Sequence, residues 1–233
     1  MELTASKVCD MCDLLKPEVR ALADEYIALA TDGTPDWATD TTSFRAWEYT
    51  HIYQALNLKG NERICDVGSG NSIFPIWLKK KFPGITMICI DPGMDPRLAN
   101  RIKHHGVDIE VRKEHFGPHL GSFDRLTCIS VLEHIPPDDD LVLVRRMVEQ
   151  LNPGGVLAIT VDYDKIDNAW LGPPHGCRKY GQKLVWSRII NMAGLRLREG
   201  PEGKSFVFRF QAEVPGIRRY DCDYTSCAII LDK

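Results

Sequence analysis

Residues Arg63–Ser72 read R-I-C-D-V-G-S-G-N-S: a short apolar strand holding an acid, Asp66, then two glycines in a G-x-G spacing. Such a strand end bends sharply at Gly68 and bares the backbone at Gly70 for a ligand to lie against. Glycine alone accepts left-handed backbone angles at no steric cost and puts no side chain in the way. The next apolar run, Ile85–Ile90 (I-T-M-I-C-I), leads into a second acid, Asp91. Strand, G-x-G, helix, strand and acid in that order make a βαβ unit in which Asp91 is placed to meet ribose hydroxyls.

The kind of ligand follows from what the turn lacks. A dinucleotide fingerprint calls for a third glycine at position 73, so that helix and strand approach closely and a pyrophosphate reaches the helix N-terminus. Ile73 stands there, and no Lys-Ser or Lys-Thr follows the turn to cradle a phosphate. A nucleoside without phosphates fits better.

Further motifs carry a resemblance. D-V-G-S-G-N at Asp66–Asn71 resembles motif I of the class I S-adenosylmethionine-dependent methyltransferases, and I-D-P at Ile90–Pro92 resembles the acid after their second strand. S-F-D-R-L-T-C-I-S-V-L-E-H-I, Ser122–Ile135, is similar to their fourth strand and the loop after it, and L-N-P-G-G-V-L-A-I-T, Leu151–Thr160, to the turn into the fifth. The resemblance implies an α/β, Rossmann-like, doubly wound fold: a mostly parallel seven-stranded sheet with an antiparallel edge strand and an N-terminal helical cap. Residues 1–58 would form the cap and 59–233 the core, with a substrate loop at about 162–182, all in one structural domain.

The same resemblance implies S-adenosyl-L-methionine as cofactor and a set of roles. The backbone around Gly68, Ser69 and Gly70 would hold the methionyl part, and Asp66 would orient the turn or the amino group. Asp91, with Pro92 beside it, would take the ribose. Glu114, or its neighbours Arg112 and His115, would take the adenine, and Ser130 and Val131 would complete the cofactor wall. His134 is the leading general base because a histidine titrates near working pH. Asp162, Tyr163 and His175 are rivals from the next loop. The sulfonium methyl is already activated, so alignment of the acceptor supplies most of the acceleration. Two alternatives stay open: a non-catalytic protein that binds the cofactor, and an NAD(P)-dependent oxidoreductase, which Ile73 and the Pro153-Gly154-Gly155 turn oppose.

At 233 residues and 44% hydrophobic, the chain can bury one sizeable α/β core. Its charge is −3, and its longest basic run, Lys79-Lys80-Lys81, suits a helix C-terminus. Nucleic acid is therefore not an expected partner; a small-molecule acceptor is. No apolar run approaches the roughly 20 residues that span a bilayer, and the N-terminus lacks a hydrophobic signal core, so a cytoplasmic protein without membrane association is expected. Nothing in the sequence fixes an oligomeric state. Cysteines in such a compartment are expected to be reduced, and Cys65, Cys89 and Cys128 sit in strand runs as small hydrophobes. Cys9 and Cys12 have the spacing of half a zinc site, but without a second C-x-x-C they read as ordinary thiols near a flexible terminus. No metal site is expected. The cluster Asp162, Asp164, Asp167 and Asn168 reads as a solvated loop rather than as magnesium ligands.

Periodicity orders the rest. Val19, Leu22, Tyr26 and Leu29 after Pro17 predict a helix, and Phe44, Trp47, Ile52 and Leu56 a second one. Strands are predicted at Ile64–Val67, Ile85–Ile90, Val107–Val111, Arg125–Ser130 and Val156–Val161. Asp95-Pro96 opens a helix that stops before Gly106, and Asp138 opens another after Pro136-Pro137. A further helix is predicted near Leu184–Met192, and Thr225–Leu231 resembles the family's last strand. Trp37, Trp47, Tyr49, Tyr163, Trp170 and Tyr180 fall in the regions that cap the pocket in this superfamily, and favour a small or medium organic acceptor.

Overall fold

The computed structural model describes residues 4–30, 44–164, 167, 177–199, 206 and 225–233. Its centre is the predicted parallel ladder: β2 (Arg63–Val67), β3 (Thr86–Ile90), β4 (Glu110–Arg112), β5 (Phe123–Ile129) and β6 (Leu151–Tyr163). With β1 (Lys7–Val8), β7 (Arg196–Leu197) and β8 (Thr225–Asp232) they form one sheet ordered β1-β8-β6-β5-β2-β3-β4, with β7 also paired to β8. The strand order reverses between β2 and its neighbours β3 and β5, and a crevice opens there at the strands' carboxyl ends.

Alternation along each strand feeds two buried layers. Ile64, Met87, Cys89 and Ala158 face α2 (Phe44–Leu56), α3 (Phe74–Lys81) and α4 (Pro96–His105). Their neighbours Cys65, Ile88, Leu126 and Ile159 face α5 (Asp139–Glu149) and the C-terminal helix, whose segments are Gln182–Leu184, a π-helical stretch Val185–Ile190, and Asn191–Ala193. A strand covered on both faces reads as a continuous apolar run, which is why these strands were legible. Cys65, Cys89 and Cys128 are fully buried as expected. Ile73, in place of a third glycine, packs into the helix–sheet layer with Phe74 and Trp77.

The local signals for α1 (Pro17–Leu29) and α4 hold to the residue. Pro17 opens α1, Asp95 accepts the Arg97 N–H at 2.9 Å, and Gly106 ends α4 at φ +62°. Asp138 is different: it stands at the head of α5 at φ +78° with no side-chain cap, and Asp140 Oδ1 accepts the N–H groups of Asp138 and Leu141 instead. The predicted strand Val107–Val111 shortens to Glu110–Arg112, because the Val107 N–H still bonds back to Ile102 O in α4.

Among the described residues the sheet has eight strands because of β1, a two-residue strand with no periodicity to betray it. β1 lies along Cys227–Ala228 and β7 along Leu231–Asp232, so they share the outer side of antiparallel β8. The expectation of a flexible terminus around Cys9 is corrected from Thr4 onward: Ser6 bonds Ile230 through both its hydroxyl roles, Cys9 is buried, and its N–H reaches Ser226 O. Among the described residues, no helix is long and apolar enough to cross a membrane.

Candidate active site

The glycine turn after β2 is fixed by two different demands. Gly68 lies at φ +77°, its N–H donates to Ile90 O at 2.8 Å, and a Cβ there would stand 2.4 Å from Val131 Cγ2. Gly70 lies at φ +52°, and a Cβ would meet nothing within 4 Å, so the space above it is open to a ligand. Its N–H donates to Asp91 Oδ2 at 3.0 Å, while Asp91 Oδ1 accepts the Gly93 N–H at 2.7 Å. The acid at the end of β3 is thus held across the crevice. Behind the turn, buried Arg101 donates to Asn71 O at 2.7 Å.

Asp66 is buried beneath the turn and accepts the Thr127 hydroxyl at 2.6 Å. Burial raises its carboxyl to about 6 from an ordinary 3.8, against the Thr127 and Ser69 hydrogen bonds and with the Asp91 charge adding to the rise. Because the folded-state value is the higher one, the folded chain holds this proton after the unfolded chain has lost it. Asp66 therefore costs stability as pH rises from about 4 to about 6. An Asp66→Asn variant should gain on the native protein across that window, as read from urea midpoints. A difference flat with pH would refute the assignment.

Two cavities flank the turn and share Gly68, Ser130 and His134. The smaller, about 290 Å³, is walled by Ile90, Phe116, Val131 and Ile135, with Asp91, Pro92, Glu114 and His115 at its polar side. Glu114 sits there as a partly buried acid tied to Arg112 at 3.3 Å and His119 at 3.2 Å. The larger, about 350 Å³, gathers Asp66, Ser69, Ser130, Glu133, His134 and Asp162, with Arg45, Tyr49 and Cys177 closing it.

The wall of the larger cavity is acidic. Ser130 follows β5 in a left-handed conformation, φ +50°, and its hydroxyl donates to Glu48 Oε1 at 2.7 Å. Buried Glu48, on α2, pairs its other oxygen with Arg45 at 3.0 Å. Glu133 follows β5 and is fully buried; its Oε1 accepts the Asp162 N–H at 3.2 Å, and its Oε2 has no partner among the described residues. Burial, then the Asp162 charge, raises Glu133 well above the usual carboxylate range. Burial, then the Glu48 charge, raises Asp162 to about 7. Desolvation, then the Arg45 charge, lowers the pKa of His134, whose ring stands at the exposed rim with Nδ1 3.0 Å from Cys177 Sγ.

His134, Asp162 and Asp66 thus meet in one cavity, and His175 lies outside the described residues, as do Asn168, Trp37 and Trp170. Tyr163 is buried and its hydroxyl donates to Phe206 O at 2.9 Å, away from both cavities. Of the aromatics expected to cap the pocket, Trp47, Tyr163 and Tyr180 are core packing, and Tyr49 reaches the cavity with its hydroxyl 2.8 Å from Ser72 Oγ. Asp167 Oδ1 accepts the Gly181 and Leu184 N–H groups and so caps the C-terminal helix. The residues that pattern reading missed are Arg45, Glu48, Glu133 and Cys177. A signal existed for two of them, since an arginine and a glutamate three apart share one helix face.

Residues 37–199 match a family described as a methyltransferase domain. The ubiquinone biosynthesis O-methyltransferase of Escherichia coli (strain K12 / DH10B) is 29% identical over 100 residues. That alignment spans 40% of this chain and 40% of that one, so the chain covers less than half the length of the curated relatives it matches. Among solved structures, Burkholderia thailandensis 1,6-didemethyltoxoflavin-N1-methyltransferase, with bound 1,6-didemethyltoxoflavin and S-adenosylhomocysteine, superposes with a TM-score of 0.63 at 16% identity, covering 91% of this chain and 87% of that one. A S-adenosylmethionine-dependent methyltransferase from Clostridium acetobutylicum ATCC 824 gives 0.56 at 10% identity, covering 91% and 97%. At these identities the likeness is one of fold.

Proposed function

The chain belongs to the methyltransferase-domain family, within the class I S-adenosylmethionine-dependent superfamily, and from that premise we propose that it methylates an oxygen or nitrogen of a small organic acceptor such as a sugar or secondary metabolite. The observation that carries this reading is the pair of cavities meeting at Gly68, Ser130 and His134. One has the size and apolar walls of a nucleoside site with an acid at its side; the other is walled by buried titratable groups.

The residues fit S-adenosylmethionine. The open space above Gly70 admits a ligand against the backbone, and Asp91 has lone pairs left for two ribose hydroxyls after accepting the Gly70 and Gly93 N–H groups. The apolar walls of the smaller cavity suit an adenine, with Pro92 and Val131 beside it and Glu114 at the rim. Gly68, Ser69 and Gly70 would hold the methionyl part, and Asp66 would orient its amino group. When bound, the cofactor supplies a sulfonium methyl that needs no further activation.

What the chain then supplies is alignment and a place for a proton. The cap formed by residues 1–58 would close the larger cavity through Arg45, Glu48 and Tyr49 of α2, shutting water out. Desolvation and the Arg45 charge lower the His134 pKa, which favours the neutral imidazole able to accept the proton of an acceptor hydroxyl or amine; Asp162 offers a second acceptor for it. His175 is a third candidate from the same loop.

The first test is calorimetry with S-adenosylhomocysteine on the native chain and on Asp91→Ala. Loss of two ribose hydrogen bonds should weaken binding by about 1–3 kcal/mol, roughly ten- to a hundredfold. Equal affinities would remove Asp91 from the ribose, and no binding to the native chain would remove the cofactor reading altogether.

A further inference from the structure

We propose that the acceptor is an amine, bound as its ammonium by Glu133 and Asp162 in the wall of the larger cavity. This rests on the methyltransferase reading and narrows it to one class of acceptor.

Four carboxylates lie on or just behind this cavity: Asp66, Glu48, Glu133 and Asp162. They divide by position. Asp66 sits under the glycine turn of β2, on the side of the crevice shared with Asp91. Glu133 follows β5 and Asp162 ends β6, so these two occupy the neighbouring strand ends, away from β3 and the ribose acid. Arg45, the guanidinium on this wall, is paired with Glu48 at 3.0 Å. A cofactor lying along the glycine turn leaves Glu133 and Asp162 facing whatever enters from the far side.

Glu133 carries the argument beyond charge counting. It is fully buried and lines the cavity, its Oε1 accepts the Asp162 N–H, and its Oε2 accepts nothing from the described residues. A buried carboxylate oxygen left bare is costly to the fold, and a ligand that supplies a donor removes that cost. An ammonium brings two or three N–H donors and a positive charge, enough to serve Glu133 Oε2 and Asp162 together. A hydroxyl brings one donor and no charge, and leaves the two acids repelling each other. Burial pushes both carboxyls upward, with the Asp162 charge adding at Glu133 and the Glu48 charge adding at Asp162, which suits groups that take a proton from the ligand they bind.

The step balances. The ammonium transfers one proton to the Asp162 or Glu133 carboxylate, freeing the nitrogen lone pair. That pair forms the N–C bond as the C–S bond breaks, and the departing electron pair neutralises the sulfonium. The methylated nitrogen carries the positive charge, and the carboxylic acid later returns its proton to water.

The experiment incubates the purified chain with methyl-labelled S-adenosylmethionine and an equimolar pool of alkyl and aryl amines, phenols, sugars and carboxylic acids. Products are separated on a cation exchanger. Label is expected in retained amines, and Glu133→Gln and Asp162→Asn should each raise the KM for the labelled amine about tenfold or more, the scale of one charge-assisted hydrogen bond. Affinity for S-adenosylhomocysteine should stay within about twofold in both variants, which also reports that they fold. Label in phenols, sugars or acids would overturn the amine inference while leaving methyl transfer intact. Amine labelling indifferent to both substitutions would overturn the role of the two carboxylates. No label in any fraction, from a chain that binds S-adenosylhomocysteine, would overturn the transfer reading and this inference with it.

Discussion

Gly68→Ala should lower the unfolding free energy by about 2–4 kcal/mol, and Gly70→Ala by only about 1–2 kcal/mol, although both glycines have positive φ. Both substitutions carry the backbone strain of a left-handed alanine. Gly68 adds a collision, because its new Cβ would sit 2.4 Å from Val131 Cγ2 and 2.6 Å from Cγ1, and a β-branched side chain has little rotameric freedom to yield. A second substitution, Val131→Ala, should therefore return part of the loss at Gly68 and none of it at Gly70. Urea midpoints of the variants measure this directly. Equal losses at the two glycines would mean that Val131 does not press on the turn. Binding should follow the opposite ranking of cause: at Gly70 the methyl group intrudes on open space that a ligand would fill.

Asp140→Ala should cost about 3–5 kcal/mol, the largest single-residue effect expected in this chain. The Asp140 carboxylate is buried and accepts from Arg178 Nη1 at 2.7 Å, Arg188 Nε at 2.8 Å, Arg188 Nη2 at 2.6 Å and the Tyr180 hydroxyl at 3.0 Å. Arg178 is buried as well, so removing the acid leaves its guanidinium with the Ile135 carbonyl and the face of the Tyr180 ring, 5.6 Å away, and without a counter-charge among the described residues. The guanidiniums hold the Asp140 carboxyl below its ordinary range, which works against its burial. A lowered folded-state value means stability that is present above the unfolded pKa and drains away as pH falls through the folded one. The gap between native and Asp140→Ala chains should accordingly narrow in acid. Thermal unfolding across pH checks both points, and a loss under about 1 kcal/mol at neutral pH would show the network to be ornamental. The same network anchors residues 177–180, whose Arg178 N–H bonds Glu133 O, so activity should fall with stability.

What was legible in the sequence was whatever is decided within a few residues. Asp95-Pro96 and Gly106 bracket α4 because a cap, a fixed φ and a left-handed stop act locally. The strands around Cys65, Cys89 and Cys128 announced themselves because burial on both faces leaves mostly apolar runs, broken inside the sheet by buried Asp66 and Thr127, which bond each other. The glycine turn and Asp91 were legible because their spacing is set by backbone geometry. What escaped was set by the fold. Asp140 meets Arg178 and Arg188 across dozens of residues, and nothing near any of them marks the encounter. Asp138 held the expected capping position, yet its left-handed backbone handed the work to Asp140. Trp47 and Tyr180 read as pocket aromatics because composition cannot tell a lining ring from a packed one. Glu133 hides best: its neighbour His134 draws attention as a base, while the burial that matters comes from α2, β6 and the stretch beyond, brought together only in three dimensions.

Sharing the outer side of β8 between β1 and β7 also governs how the protein behaves in company. A long bare strand at the rim of a sheet is a template on which another chain can continue the ladder, and such templates seed aggregates. Here the described rim is capped at one end by strands of two residues each and at the other by β4, three residues long. The eight-residue strand with the fully apolar run Cys227–Leu231 is kept inside. The small patch of N-terminal chain that stitches Lys7 and Val8 to β8 thus serves solubility, screening from its neighbours the segment of this protein best suited to join them.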